Sequence, residues 1–448
     1  MKFRKSPQIV PLNCTAYNLT QCSSSYNPTA SFSKENRKSP SPCTCPEYFR
    51  WINEDLRPWA NTGISKYMIE RAQEVAHFRL VIVNGKAYVE TYRTVYQSRD
   101  KFTLWGILQL LRRYPGKVPD LDLMFFAGDM PDPLSTDRFS GPNDVDGPPP
   151  LFRYCNDNVT GAIVFPDWSF WGWPEVNIKP WESLVKELED GNKRIKWVDR
   201  ENYAYWKGNP GEIPIRHQLL KCNVSDKQDW NVRSFVQDWR QAFYERYKYS
   251  NLANQCIHKF KIYVEGRSWS VSEKYILACD SLTLFVKPNY FDFFTRSLMP
   301  LQHYWPIRND DICRSIKFAV DWSNAHPKEA QDIGKAASKF IVEELKMENV
   351  YDYMFHVLNE YAKLLNFKPT IPQNATELCL EALACPAETL KMRNFMVDSM
   401  VKTPAQTSPC IMPPPYAPPS LNDIRQKKAS LIKQVEMWEK NYWEYQSN

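Results

Sequence analysis

The sequence predicts an α/β fold arranged as two layered halves, and two patterns support this prediction. Short apolar runs typical of buried strands alternate with longer segments whose apolar residues recur at helical spacing. Such alternation is typical of mainly parallel sheets covered by helices. The length of 448 residues, 43% of them apolar, allows two or three domains with cores of their own.

The predicted elements begin with a helical segment over 46–59 and a β-hairpin over 78–90. In the hairpin, Asn84-Gly85 supplies the two positive φ angles of a tight turn. Apolar runs predict strands at 122–127, 161–165, 203–206 and 259–264. Helical spacing predicts helices over 103–114, 181–189, 328–345 and 350–365, then a proline-rich linker over 366–422 and a last helix over 423–443.

The cysteines and N-glycosylation sequons indicate the secretory lumen. Five sequons are present, at Asn13, Asn18, Asn158, Asn223 and Asn374. The twelve cysteines include a group near each end of the chain, so disulfides are expected to join Cys14, Cys22, Cys43 and Cys45 with Cys379, Cys385 or Cys410. A zinc site is disfavoured, because Cys43-Thr-Cys45 lacks the spacing of a metal-binding pair.

Charge and hydropathy limit the classes of partner. The net charge of +6 is scattered and contains no dense basic block, which argues against a nucleic-acid partner. No stretch approaches eighteen apolar residues, and the N-terminus lacks a hydrophobic signal core. A missing upstream signal-anchor is therefore expected. The last residues are not a retrieval signal, so a type II membrane protein of the Golgi is favoured over a soluble ER protein.

The most informative motif lies in the segment 266–287, where Ser272, Glu273 and Lys274 directly precede an apolar run that ends in a strand. A helix that opens there would direct free backbone N–H groups and its positive dipole end at a phosphorylated ligand, with an ammonium beside them. The alternative is an ordinary helix N-cap with solvated charges.

Three segments together carry a family resemblance: 266–287, Ala204-Tyr-Trp-Lys-Gly-Asn209 and Leu301-Gln-His-Tyr-Trp-Pro-Ile307. They closely resemble the plant branch of the Rumi-like protein O-glucosyltransferases of glycosyltransferase family 90, the capsule-associated protein family, over about 45–365. The resemblance implies a GT-B-like fold, in which two Rossmann-like halves face each other across a cleft, with disulfide-tied terminal extensions. The expected parts are a lumenal stem over 1–46, an acceptor half over 47–198, a nucleotide-sugar half over 199–366, and a proline-rich strap with a terminal helix over 367–448.

The resemblance also implies the donor-binding residues. Lys274 is assigned to the diphosphate, and Glu273 to the ribose hydroxyls. Ser272 departs from the animal enzymes, which have an arginine at this position, and Arg267 is the expected substitute.

A second cation is expected after a predicted strand, at Lys207. The following Gly208 would let the backbone approach a ligand; the alternative is an ordinary surface lysine. His303, in the third segment, is the histidine expected nearest the nucleotide. The alternative is a histidine that is only packed and hydrogen-bonded within the fold.

The resemblance assigns the catalytic base to Asp129, in the segment 125–131 at a strand end. Inverting transfer needs a base that takes the proton of the acceptor hydroxyl. Plant relatives usually carry further acids just before this aspartate, where this chain has Phe126 and Gly128. A catalytically inactive, glycan-binding relative of the same fold is therefore the alternative function.

The segment 165–177 borders the acceptor cleft in the family. Its residues Asp167, Trp168, Trp171 and Trp173 are the expected acceptor-binding residues, and a tryptophan-rich loop packed in the interior is the alternative.

No metal or other cofactor is expected. Two Asp-x-Asp triplets, 120–122 and 144–146, could bind a divalent ion in a GT-A enzyme, but the first precedes its strand and the second lies in a Gly/Pro loop.

The predicted function is inverting transfer of glucose or xylose from UDP-glucose or UDP-xylose to a hydroxyl of a protein or glycan. A disulfide between Cys256 and Cys279 is implied by the resemblance, and Cys155 with Cys222 is expected as a second pair.

Overall fold

A computed structural model describes Leu12, Cys14, Cys22 and residues 43–129, 147–157 and 159–447. Contacts within the chain divide it into two compact units. The first unit comprises 1–128, 132–182 and 347–413, and the second comprises 129–131, 183–346 and 414–448. The assignment of an acceptor half and a nucleotide-sugar half stays a prediction.

Eleven strands occur in the described residues. They are β1 (Phe78–Val83), β2 (Lys86–Thr91), β3 (Leu121–Phe125), β4 (Phe152–Arg153), β5 (Ile163–Val164), β6 (Glu201–Gly208), β7 (Val232–Val236), β8 (His258–Tyr263), β9 (Leu282–Val286), β10 (Trp305–Ile307) and β11 (Thr376–Glu377).

Thirteen α-helices occur in the same residues, besides single 3-10 turns. They are α1 (Trp51–Leu56), α2 (Lys66–Ala72), α3 (Arg99–Arg113), α4 (Trp181–Lys193), α5 (Pro214–Lys221), α6 (Trp239–Tyr244), α7 (Glu273–Leu277), α8 (Ile312–Ala325), α9 (Pro327–Glu344), α10 (Met347–Lys363), α11 (Leu380–Ala384), α12 (Leu390–Asp398) and α13 (Pro418–Ser447).

The first unit contains a six-stranded mixed sheet in the order β11-β2-β1-β3-β4-β5. The predicted hairpin is confirmed, since β1 and β2 pair antiparallel around Asn84 and Gly85, whose φ angles are 52° and 74°. Only the β3–β4 and β4–β5 pairs are parallel. The prediction of mainly parallel sheets is wrong for this unit, because the tight hairpin and its neighbours β3 and β11 all pair antiparallel.

The second unit contains a five-stranded sheet in the order β10-β9-β8-β6-β7, and every neighbouring pair is parallel. On one face, Trp206, Phe260 and Leu284 belong to a buried core that also includes Ile316 of α8. One sheet with its helices in each unit confirms the predicted α/β class, and the predicted GT-B-like form fits it. The parallel sheet has the consequence that the loops after β6, β8, β9 and β10 all leave its carboxyl edge.

Five disulfides lie within the units. Three join the N-terminal region to the segment 379–410, in the pairs Cys14–Cys385, Cys22–Cys379 and Cys45–Cys410. The pair Cys256–Cys279, which the resemblance implied, is present in the second unit.

The predicted pair of Cys155 and Cys222 is wrong. Cys222, at the end of α5, is bonded to Cys313 of α8, since the two helices pack together and bring the two Cα atoms within 5.2 Å. Cys155 is buried in the first unit, outside the five disulfides, and Cys43 is an exposed thiol.

The region 366–422 is more than the predicted linker, because it contains β11, α11 and α12. Within the described ranges, no helix combines the length and apolar character that a bilayer crossing requires.

Candidate functional site

The Ser272-Glu273-Lys274 motif begins a helix, as expected, but α7 has only five residues. The Ser272 side chain does not cap that helix. Its hydroxyl lies 2.8 Å from the hydroxyl of Ser270, and its carbonyl accepts the first helical hydrogen bond, from Ile276. The motif is therefore an ordered turn, and its side chains, rather than a long helix dipole, determine its chemistry.

Glu273 and Lys274 are both buried, with 1% of each residue exposed. The alternative of solvated charges at an ordinary N-cap is therefore wrong. The Thr295 hydroxyl donates to Glu273 Oε1 at 2.8 Å, and Lys274 Nζ lies 4.8 Å from the centroid of the Tyr275 ring. Burial raises the pKa of Glu273 to about 7, because the charged carboxylate loses its hydration.

Aromatic rings pack next to α7, in a cluster that also includes Ile276. Tyr263 packs against Phe285 at 4.3 Å between centroids, and Phe285 packs against Tyr304 at 4.8 Å. The neighbouring His303 accepts a hydrogen bond from the Met299 amide through Nδ1 at 2.9 Å. Burial lowers the pKa of His303 to about 4, so this histidine is neutral and has a packing role, as in its alternative reading.

Lys207 and Gly208 form the end of β6. Lys207 Nζ donates to the Tyr249 carbonyl at 2.8 Å, and burial lowers the pKa of this lysine. A Cβ atom at Gly208 would lie 2.5 Å from the Trp206 ring, so the position requires glycine while that ring is in place. The lysine is thus anchored, unlike an ordinary surface lysine.

Arg267 follows β8, in the loop just before the motif. Its Nε lies 3.1 Å from Glu212 Oε2, and half of its side chain is exposed. The structure thus connects Arg267 to the loop after β6.

Sequence reasoning missed two buried charged residues at this edge, Arg216 and Glu265. Arg216 of α5 donates to the carbonyls of Asn209, Val264 and Glu265 at 3.0, 3.2 and 2.7 Å. The Glu265 carboxylate accepts hydrogen bonds from the backbone N–H groups of Asn289 and Tyr290. The only local signal was for Glu265, a carboxylate directly before Gly266 at a predicted strand end.

Asp129 lies four residues after β3 and is half-buried. Its main-chain carbonyl accepts a hydrogen bond from the Ser268 hydroxyl at 3.1 Å, within the second unit. Asp129 is therefore held by the same β8–α7 segment that carries the motif.

Phe126 and Gly128, which stand where plant relatives usually carry acids before the aspartate, depend on each other. The Phe126 ring packs 4.6 Å from the His77 ring, and the Arg153 guanidinium lies 5.3 Å from its centroid. A Cβ atom at Gly128 would lie 2.7 Å from the Phe126 ring. A side chain at position 128 would therefore require the ring to move.

The tryptophan-rich segment belongs to the interior of the first unit. Trp168 and Trp171 are buried, and Trp171 Nε1 donates to the Tyr351 hydroxyl at 3.0 Å. Asp167 is buried too and accepts from the Ser169 amide at 2.8 Å. Only Trp173 of the three expected tryptophans is partly exposed, and its Nε1 donates to Gln97. An acceptor role for this segment stays a prediction.

The first Asp-x-Asp triplet has structural partners. Asp122 forms a buried, bidentate pair with Arg79, at 2.6 and 2.7 Å, and Asp120 accepts from the Asn84 amide at 2.8 Å. The second triplet lies outside the described residues. Where the structure describes the chain, the only group of metal-ligating type is Cys45, His356 and Cys410, and its two cysteines are disulfide-bonded.

Two sequons can be examined. Asn374 is exposed, whereas the Asn223 side chain bonds both the amide and the carbonyl of Ser234, at 2.6 and 2.9 Å. Asn13, Asn18 and Asn158 lie outside the described residues.

Ligands of open α/β sheets bind at the carboxyl ends of the strands, and comparison with known proteins identifies the class. The family model for glycosyl transferase family 90 matches residues 40–439. The chain belongs to this family and is a glycosyltransferase.

Individual relatives are distant but match over most of their length. Human "Protein O-glucosyltransferase 1" is 24% identical over 357 residues, which are 75% of this chain and 85% of the relative. "O-glucosyltransferase rumi" of Drosophila melanogaster is 23% identical over 343 residues, or 73% of this chain and 79% of the relative. The predicted Rumi-like family resemblance is thereby confirmed.

Proposed function

We propose that this enzyme is an inverting glycosyltransferase that moves glucose or xylose from UDP-glucose or UDP-xylose to a hydroxyl of a protein acceptor. The observation that carries the proposal is the family match over 40–439, together with relatives whose names describe protein O-glucosyltransferases. In the reaction, the acceptor oxygen forms a bond to C1 of the sugar while the bond from C1 to the diphosphate breaks. UDP is the leaving group, and a base takes the acceptor proton.

The donor site is proposed to lie at the carboxyl edge of the second unit's sheet. Lys274 neutralises charge on the diphosphate, and Lys207 contributes a second cation beside the Gly208 backbone. Glu273 accepts hydrogen bonds from ribose hydroxyls. Support for these roles comes from the burial of Glu273 and Lys274, because burying charged groups is costly unless partners or function compensate.

Ser272 and Arg267 complete the proposed donor set. Ser272 offers a hydroxyl close in sequence to Lys274, the cation proposed to neutralise the diphosphate. Arg267 is paired with Glu212 in this structure, and exchanging that partly exposed pair for a phosphate contact costs little, because exposed ion pairs contribute about 0–1 kcal/mol.

Asp129 is proposed as the base. Support comes from its position after β3 and from the hydrogen bond that holds its carbonyl to Ser268. On the acceptor side, Trp173 offers the accessible ring of the segment that includes Asp167, Trp168 and Trp171.

The protein is proposed to reside in the lumen of the secretory pathway, and more specifically in the Golgi as a type II membrane protein. Five disulfides support an oxidising compartment. Detection of the full-length protein with Golgi or ER markers would distinguish the two organelles.

The test is release of UDP from UDP-glucose, UDP-xylose and other UDP-sugars in the presence of a panel of folded, disulfide-bonded proteins and of cell-wall oligosaccharides. We expect turnover with a protein and with one of the two named donors. Mass spectrometry of the acceptor should show a single added hexose or pentose on a hydroxyl side chain. Donor binding without transfer to any acceptor would contradict the proposal and favour the inactive relative.

A further inference from the structure

Exposed rings are concentrated in one short stretch of the second unit. Among the described residues, seventeen large apolar or aromatic side chains are exposed, and six of them fall between positions 235 and 249. These six are between 41% and 76% exposed: Phe235, Val236, Trp239, Phe243, Tyr244 and Tyr249. Single exposed apolar residues are ordinary on a protein surface, whereas a group of them marks an interaction site. We call the six residues the aromatic platform.

Hydrogen bonds hold this stretch in a defined shape. At the start of α6, the Asp238 side chain accepts from the Gln241 amide at 3.0 Å. After α6 the chain reverses through Arg246 and Tyr247, whose φ angles of 51° and 59° lie in the left-handed region. The reversal buries Tyr247, whose amide donates to the Ala242 carbonyl at 2.7 Å. The platform is therefore carried by an ordered backbone.

The aromatic platform is continuous with the edge of the sheet where the donor is proposed to bind. The Gln237 amide donates to the Gly208 carbonyl at 2.8 Å, and Lys207 Nζ donates to the Tyr249 carbonyl at 2.8 Å. Both bonds join the stretch after β7 to the end of β6. A macromolecule that brings a hydroxyl group to this edge would therefore lie beside the platform.

The charges around the rings indicate the character of the partner. Arg240, Arg246 and Lys248 are exposed in the same stretch. Of its two acids, Asp238 caps α6, and Glu245 accepts from Gln241 Nε2 at 2.8 Å. Trp, Tyr and Arg are enriched at the centres of protein–protein interfaces, where they contribute most of the affinity. The complementary surface would present apolar side chains bordered by carboxylates.

The mixing of rings and cations favours a protein partner over a membrane. With about 3.6 residues per turn, Arg240 projects between Phe243 and Tyr244 on the circumference of α6. A helix that lies on a membrane instead places its cations on the face opposite its rings. The platform therefore has the composition and the arrangement of a protein-binding surface.

We infer that the aromatic platform is a docking surface for the protein acceptor, separate from the place where the acceptor hydroxyl reacts. The inference rests on the proposed function. Contacts made equally in the ground state and in the transition state lower the Michaelis constant and leave kcat unchanged. Loss of the platform should therefore affect the Michaelis constant for a folded acceptor and neither kcat nor UDP binding.

The test combines Phe243→Ser with Tyr244→Ser and uses Tyr445→Ser as the matched control. Tyr445 lies on α13 of the same unit, is 82% exposed and is outside the platform. With a folded protein acceptor that wild type modifies, we expect the double variant to raise the Michaelis constant by about tenfold or more. Its kcat and its Kd for UDP should stay within about twofold of wild type.

The control should keep all three constants within about twofold of wild type, and both proteins should keep their Tm, since all the changed side chains are exposed. An unchanged Michaelis constant in the double variant would overturn the inference, as would an equal rise in the control. Sedimentation with phosphatidylcholine–phosphatidylserine vesicles that the double variant loses, together with an unchanged Michaelis constant, would assign the platform to a membrane instead.

A binding measurement separates this inference from the proposed function. Surface plasmon resonance with the same acceptor proteins needs no turnover. A protein that binds wild type and the control but not the double variant supports the docking surface, even where no UDP is released and the proposed function fails. Turnover and binding that are equal in all three proteins would overturn the docking surface while the proposed function stands.

Discussion

The tryptophan-rich segment 165–177 of the first unit and the segment 266–274 of the second both looked like ligand-binding sequence, and both bury their most suggestive side chains. In the first segment the buried groups are mainly rings, such as Trp168 and Trp171. In the second they are charged groups, Glu273 and Lys274. Burying a ring stabilises the fold, whereas burying an ion costs free energy unless partners compensate.

The difference teaches which signal in a sequence points to function. Packing accounts for the burial of Trp171, since its ring fills the space beside Gly106 and its N–H bonds Tyr351. Glu273 and Lys274 are adjacent and buried on a turn of only five helical residues, and a stable fold alone does not require a carboxyl and an ammonium there. Four substitutions and one matched control test this contrast.

The largest expected effect separates binding from chemistry. Asp129→Asn should lower turnover by about 10² to 10⁴ while leaving the Kd for UDP nearly unchanged, because the amide cannot take the acceptor proton but keeps the shape of the side chain. Initial rates of UDP release and calorimetric titration with UDP measure the two quantities. A variant with full turnover would end the assignment of Asp129 as base.

Trp171→Ala should destabilise the first unit rather than act directly on acceptor binding. We expect a loss of about 3–5 kcal/mol in the free energy of unfolding, because a fully buried ring is removed and the Tyr351 hydroxyl loses its donor. Denaturant unfolding measures the loss. Trp173→Ala is the matched control, since this ring is partly exposed and should cost less stability.

The same two variants can be compared by their Michaelis constants for the acceptor. If Trp173 contacts the acceptor, Trp173→Ala should raise this constant while stability changes little. A Trp171→Ala variant of normal stability would show that packing does not explain its ring.

Lys274→Met should weaken UDP binding by about 1.5–3 kcal/mol, or roughly 10- to 150-fold in Kd, if one charge-assisted hydrogen bond is lost. Methionine keeps the length and much of the apolar stem, so the packing against Tyr275 is retained. Calorimetric titration measures the change. Normal UDP affinity in this variant would move the donor site away from Lys274.

Locally encoded features were predictable from the sequence, and features made by distant contacts were not. The Asn84-Gly85 hairpin and the β6 and β8 strands follow from turn chemistry and apolar runs. In contrast, α11 and α12 lie in a proline-rich region, and disulfides fasten the two ends of α11 to Cys22 and Cys14, more than 350 residues away in sequence. No local periodicity encodes such a constraint.

The same rule divides the candidate site. The Ser272–Lys274 motif could be found because its residues are consecutive. Arg216 could not, because its partners are main-chain carbonyls seven to 49 residues away, and a carbonyl has no sequence signature. The prediction of a Cys155–Cys222 disulfide was wrong for a related reason, since only the packing of α5 against α8 makes Cys313 the partner of Cys222.

The smallest expected effect concerns the pH dependence that buried Glu273 imposes. Its pKa in the folded protein is raised from 4.5 to about 7 by burial, so the folded state holds a proton that the unfolded state releases near pH 4.5. The associated stability is fully present below about pH 4.5 and is lost as the pH rises through about 7.

Glu273→Gln cannot titrate, so its stability relative to wild type should increase between pH 5 and pH 8, by on the order of 1–3 kcal/mol. Urea unfolding of both proteins at several pH values measures the difference. A difference that is constant with pH, or that changes in the opposite direction, would show that Glu273 is charged in the folded protein, and the adjacent Lys274 would then be the cation that compensates its burial.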